Sequence, residues 1–123
     1  MQWWWLFVGG GLGAVARFWL GAFVLERAGE GFPWGTLVVN WSGCLAIGVA
    51  AALFAAAPHP PALRLFLVTG VLGGFTTFSA FGLETVELWA AGEPAQAALY
   101  VVGSVAGGLV AVALGLGAAR ALG

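Results

Sequence analysis

An all-α membrane protein of four transmembrane helices is the fold class that this 123-residue sequence predicts. Three observations carry it. Hydrophobic residues make up 62% of the chain and charged residues 7%, where a soluble domain of this size carries about a quarter charged residues. All five prolines, Pro33, Pro58, Pro60, Pro61 and Pro94, fall between four apolar blocks, each at least the ~20 residues that cross ~30 Å of hydrocarbon as a helix. Trp3, Trp4, Trp5, Trp34 and Trp89 stand near block ends, where amphipathic rings prefer the membrane interface. A β-barrel, the other spanning solution, needs short alternating strands that this sequence lacks.

The first block, Trp3–Leu25, begins MQWWWLFVGGGLGAVAR. It has no basic start of a cleaved signal peptide and reads as a retained span. Its GGGLGA stretch, Gly9 to Ala14, matches a dinucleotide pattern, but that pattern acts between strand and helix in an α/β domain. Inside a span, the glycines read as helix contacts, and Arg17 lies toward the far end. The second block, Trp34–Ala57, carries Thr36, Asn40 and Ser42, with Cys44 and Gly48 four residues apart. A lone cysteine reads as a small apolar residue.

The third block, Leu63–Trp89, holds Thr69, Thr76, Thr77, Ser79, Glu84 and Thr85. Gly73 and Gly74 followed by two β-branched threonines make a poor helix interior, which predicts a break there and free carbonyls near mid-span. Such carbonyls are tolerated where they line a cavity, meet protein partners or bind an ion. Phe75, Phe78 and Phe81 recur at a spacing of three, with Glu84 extending the row, which reads as one slowly drifting helical face. Lipid-facing or core filler is the plain reading of such rings. The functional one is that a weakly positive ring edge faces an anion. The fourth block, Ala95–Ala119, places Gly103, Gly107, Ala111 and Gly115 in one stripe for close helix packing. Tyr100 and Ser104 form a second row that ends at Gly108.

With four spans, Arg64 and Arg120 share one side of the membrane, and Arg17 and Arg27 the other. Two against two gives the positive-inside rule nothing to act on. Insertion in both orientations with assembly as an antiparallel, dual-topology homodimer is one reading; too few arginines to bias topology is the other. A polar pathway is also more easily built between subunits than within four helices. The net charge of −1 and the absence of any basic run speak against nucleic acid. His59 is the only histidine and the chain has no Asp, so neither a side-chain metal cluster nor a nucleophile–base set is available, and no enzyme is expected. Inside the bilayer, the polar residues are the suspects for function.

GGGLGAVARF, GTLVVNWSGCLAIG and GVLGGFTTFSAFGLE resemble, in order and spacing, the signature stretches of the Fluc (CrcB) fluoride channels, over nearly the whole chain. The resemblance implies an antiparallel homodimer in the plasma (inner) membrane, a multi-pass protein with two fluoride pores along the subunit interface. It also implies a central structural sodium ion, held by the backbone carbonyls of Gly73 and Thr76 from both subunits. By the same resemblance, Phe78 and Phe81 would turn ring edges to fluoride and Asn40 would be the pore asparagine. Thr77, Glu84, Tyr100 and Ser104 would lie on a polar track, and Arg17 near an aqueous vestibule. Ala80 and Gly108 depart from the family pattern, where a hydroxyl residue is commoner or can occur, so the track on the last helix is expected to be shorter here. The implied partners are fluoride, sodium, membrane lipid and a second copy.

The rival reading is a proton-coupled exporter resembling the small multidrug resistance transporters. Those depend on a glutamate in the first helix, where this chain offers Arg17 and only Glu84 in the third helix as a substitute. A small assembly subunit packing through its glycine stripes is the third reading, and it leaves GGFTTFSAF without a purpose.

Overall fold

The computed structural model describes residues 2–123. Helix α1 spans Gln2–Ala28 and α2 spans Trp34–Ala56. Helix α3 covers residues 61–75 and is built of Pro61–Arg64, Leu65–Leu72 and Gly73–Phe75. Helix α4 spans Phe78–Ala90 and α5 spans Pro94–Leu122. Taken with α3 and α4 as one span, four helices are long and apolar enough to cross a membrane, and no strand occurs among the described residues.

Local chemistry sets the ends. Gly29, at φ +84°, closes α1 with its N–H on the Leu25 carbonyl at 2.9 Å, the left-handed cap for which glycine carries no Cβ penalty. Gly92, at φ +79°, ends α4, and Glu93 N–H reaches back to the Leu88 carbonyl at 3.0 Å. Pro61 and Pro94 occupy first helical positions of α3 and α5, where a missing N–H costs nothing. Helix α1 runs one turn beyond Leu25, so Glu26 lies on it, exposed in its last turn. The first helix thus holds an acid, but at its rim rather than inside the span.

Two seams hold the bundle, both made by glycine. Along α1 and α3, a methyl on Gly13 would overlap the Val71 carbonyl, one on Gly9 the Phe66 carbonyl, and one on Gly74 the Gly10 carbonyl. Between α2 and α5 the contact is reciprocal: Gly48 meets the Val112 carbonyl and Gly115 the Leu45 carbonyl. Lipid is as apolar as leucine, so association in the bilayer rests on such close backbone approach. Gly107 lies under the Trp41 ring. Gly103, expected in the same stripe, has open space where a side chain would go; its carbonyl instead accepts from Trp41 Nε1 at 3.0 Å. Large apolar side chains such as Trp3, Phe7, Leu12, Phe18 and Leu109 point outward, as they do on a surface whose solvent is hydrocarbon.

Residues Leu65–Leu72 of α3 are π-helical, with Gly73 N–H shared between the Gly70 and Val68 carbonyls. Gly73 and Gly74 are themselves helical. Extended dihedrals come later, at Thr76 (φ −83°, ψ 156°) and Thr77 (φ −148°, ψ 118°). β-Branched side chains favour that region, and Gly74 serves the seam with α1.

Candidate functional site

The extended Thr76–Thr77 link is where side chains from three helices converge. Asn40, in the second turn of α2, meets Thr77 at two points: its Nδ2 donates to the Thr77 carbonyl at 2.9 Å, and its Oδ1 accepts from Thr77 N–H at 2.8 Å. From α1, Arg17 Nε donates to the Gly74 carbonyl at 3.1 Å, placing a cation on the last turn of α3, where the helix dipole favours one. Thr76 Oγ1 donates to the Leu72 carbonyl at 3.0 Å. Thr77 Oγ1 caps α4, accepting from Ala80 N–H at 3.2 Å, the usual service of a threonine at a helix start.

These bonds redirect two backbone donors. In an unbroken helix Thr77 N–H would reach the Gly73 carbonyl and Ala80 N–H the Thr76 carbonyl. Here they go to Asn40 Oδ1 and Thr77 Oγ1. The carbonyls of Gly73 and Thr76 are thereby spared their helical partners, and both residues line a cavity of about 350 Å³. Neutral carbonyl oxygens are the donor type that suits a small hard cation. Three or more His, Cys, Asp or Glu side chains gathered for a metal do not occur among the described residues; backbone oxygen is the donor type on offer.

The same cavity brings together most of the residues singled out in the sequence: Asn40, Thr77, Phe78, Phe81 and Ser104 line it with Gly73 and Thr76. The hydroxyl of Ser104 is buried without a protein partner. Phe78 and Phe81 have ring centroids 5.5 Å apart, yet they differ sharply in surroundings: Phe81 is 9% exposed and Phe78 82%. Phe75 belongs to α3, on the far side of the extended link, so Phe75, Phe78 and Phe81 do not share one helical face. That reading fails because the link resets the helical phase.

Glu84 and Tyr100 sit behind Phe81 rather than on the cavity wall. Tyr100 is fully buried; its hydroxyl donates to Glu84 Oε1 at 2.7 Å, and Thr36 Oγ1 donates to Glu84 Oε2 at 2.9 Å. One carboxylate therefore ties α2, α4 and α5 together. The Phe81 and Phe32 rings meet Tyr100 edge-on at 5.1 Å and 5.4 Å between centroids. Arg17 lines a second cavity, of about 400 Å³, with Thr36, Thr77 and Ala80. Thr77 is the residue the two cavities share. Ala80 leaves this second wall without the hydroxyl a threonine would bring, and Gly108 faces Cys44 Sγ.

Some polar residues turn inward on their own helices. Ser42 Oγ bonds to the Val38 and Val39 carbonyls and Thr85 Oγ1 to the Phe81 carbonyl. His59 lies tilted against the Phe54 ring, 4.2 Å between centroids. Thr36 and Trp41 are the structural participants that sequence reasoning did not place in the site. The four-residue spacing of Thr36 and Asn40 was the available signal for the first.

The chain matches the family model described as CrcB-like protein, Camphor Resistance (CrcB), over residues 4–116. It is 52% identical over 118 residues to a protein of Paracoccus denitrificans, covering 94% of this chain and 91% of the relative. It is 47% identical over 116 residues to one of Rhizobium leguminosarum bv. trifolii (94% and 93%) and 44% identical over 114 residues to one of Chloroflexus aurantiacus (92% and 90%). All three relatives carry the name fluoride-specific ion channel FluC.

Proposed function

We propose, from the premise that the chain belongs to the CrcB family, that it is a fluoride-selective channel. It lets fluoride leave the cell passively across the plasma membrane. The observation that carries the reading is the cavity at the Thr76–Thr77 link, where an amide, hydroxyls and two phenyl rings surround a space in the middle of a span. Fluoride must exchange tightly held water for protein contacts, and conduction demands that no one contact hold it too well. Ring edges and hydroxyls are weak donors of that kind. Phe78, Phe81, Thr77, Ser104 and the Asn40 amide form the proposed path, and Glu84 with Tyr100 sets the back wall against which Phe81 rests. Arg17 raises the local anion concentration at the mouth of the neighbouring cavity.

A second copy, inverted, completes the pore. Phe78 lies almost bare beside the cavity while Phe81, three residues on, is covered; a partner packed on this face would wall the passage and shield Phe78. The even split of arginines between the two sides supports dual topology. The Gly73 and Thr76 carbonyls of two such copies would hold sodium, which supplies positive charge near the crossing point and binds the copies together. The proton-coupled exporter is not favoured: α1 carries Arg17 at depth, and Glu84 already accepts two hydrogen bonds.

Fluoride efflux from liposomes containing the purified protein tests the reading, with chloride as the control ion. Fluoride efflux far above empty vesicles with no chloride efflux is expected. Equal leakage of both ions, or of neither, would overturn it.

A further inference from the structure

We propose that the cleft between α2 and α3 binds an anionic phospholipid, which lays one acyl chain along the cleft and its headgroup on His59 and Arg64. The cleft has a volume of about 580 Å³, larger than either cavity beside Thr77. Ala46, Val49 and Leu53 of α2 form one wall, Leu63 and Leu67 of α3 the other, and His59 lines it from the link between the two helices. Ser42 is the lining residue deepest in the span, and its hydroxyl is spent on the Val38 and Val39 carbonyls of its own helix. Such walls suit a hydrocarbon chain. In a bilayer the gain is packing, because a cleft left unfilled forfeits dispersion contacts on both sides.

The mouth of the cleft supplies the choice of headgroup. His59 Nδ1 donates to the Ala57 carbonyl at 3.0 Å, which leaves Nε2 to accept from a headgroup hydroxyl. Arg64, exposed and next to Leu63 in the chain, offers a guanidinium whose fork matches phosphate. Charge over the whole molecule points the same way. Every acidic side chain, from Glu26 and Glu30 to Glu84, Glu87 and Glu93, belongs to the other half of the bundle, while His59, Arg64 and Arg120 stand at this end. Basic residues at headgroup depth beside an apolar cleft recognise anionic lipid. Protein is the other candidate to cover the cleft. On α2, however, Asn40, Gly43 and Ile47 line the cavity beside Phe78 and Ser42, Ala46 and Val49 line the cleft, two sets roughly 130° apart around the helix. The subunit face proposed above is the first, which leaves the second to lipid.

Photolabelling of the full chain in phosphatidylcholine vesicles tests it, with a trace of phosphatidylglycerol or phosphatidylcholine that carries a diazirine in one acyl chain. The phosphatidylglycerol probe should label Leu53, Leu63 and Leu67 at least about threefold more than Phe7 and Leu114, which are more exposed on other helices near the same end. Even labelling would mean ordinary boundary lipid and overturn the proposal. The phosphatidylcholine probe should label the cleft at least about threefold less; equal labelling by the two probes would overturn it as well. His59→Ala with Arg64→Gln, both at the surface, should bring the first probe down to the level of the second, and unchanged labelling counts against the site. Ala46→Phe fills the cleft and should exclude both probes at the wild-type elution volume. A smaller particle that is labelled in the cleft as wild type would hand the cleft to a second copy and overturn the proposal. If Ala46→Phe yields no folded protein, the surface pair decides. Fluoride efflux is not among these readouts, so a failed channel reading and a failed lipid site are told apart.

Discussion

The two halves of the third span are held by different physics. Residues 61–75 lie against α1 with glycine meeting backbone: Gly13 under the Val71 carbonyl, Gly74 under the Gly10 carbonyl. Residues Phe78–Ala90 are held by direction instead, through Glu84 on Thr36 and Tyr100 and through the Phe81 edge contact with Tyr100. The first half is a matter of shape and tolerates no added volume. The second depends on donors, acceptors and ring geometry, and tolerates no lost partner. Between them Thr76 and Thr77 uncouple the two, so a polar, aromatic half is aimed independently of a rigid, greasy one.

Four substitutions break or sharpen this contrast. Gly13→Val should have the largest effect, because a branched side chain there meets backbone on α3 that cannot move aside; overpacking of this kind costs about 3 kcal/mol or more. Loss of monodisperse protein in size-exclusion chromatography is the expected result, and a wild-type melting profile would refute the seam. Glu84→Gln comes next. It exchanges two charge-assisted hydrogen bonds for neutral ones, a loss of about 1–2 kcal/mol, read as a lower unfolding midpoint in detergent while the purified protein keeps its elution volume. An unchanged midpoint would mean that the carboxylate is not the tie between α2, α4 and α5.

Phe81→Ile probes the aromatic half. It keeps apolar character but removes the ring edge, and should lower fluoride flux in liposomes by about tenfold, or ~1.4 kcal/mol, with a stability loss of about 1 kcal/mol from the lost edge contact with Tyr100. Retained flux would remove this ring from the path. Gly103→Ala should do least. It has open space around it, and the gain in helix propensity is at most about 1 kcal/mol; a melting point at or slightly above wild type is expected. A large loss would show that Gly103 packs like Gly107 and Gly115 after all.

Much of this was legible from residue types. Four apolar stretches between prolines predict four spans, and small residues at four-residue spacing predict close helix contact. What composition misjudged is instructive. The stretch from Gly73 to Thr77 pointed to a break because glycines and β-branched residues weaken a helix; the extended backbone falls on Thr76 and Thr77, while both glycines stay helical and Gly74 packs closely on Gly10 of α1. Here tertiary approach overrides propensity. The row Phe75, Phe78, Phe81 looked like one face because spacing presumes a continuous helix, and the extended link removes that premise. Asn40 stood out only as a polar residue inside a span; its hydrogen-bond partner, Thr77, lies 37 residues away, a distance over which local pattern carries no information.

The sequence by itself determined the solvent this chain folds in, the number of its spans and the places where helices can touch. Those follow from hydropathy, length and side-chain size, which each residue carries regardless of its neighbours. Tertiary structure alone decided which backbone groups lose their helical partners and which side chains replace them. A hydrogen bond needs two atoms within about 3 Å, and only the packed bundle brings α1, α2 and α5 to that distance from the third span.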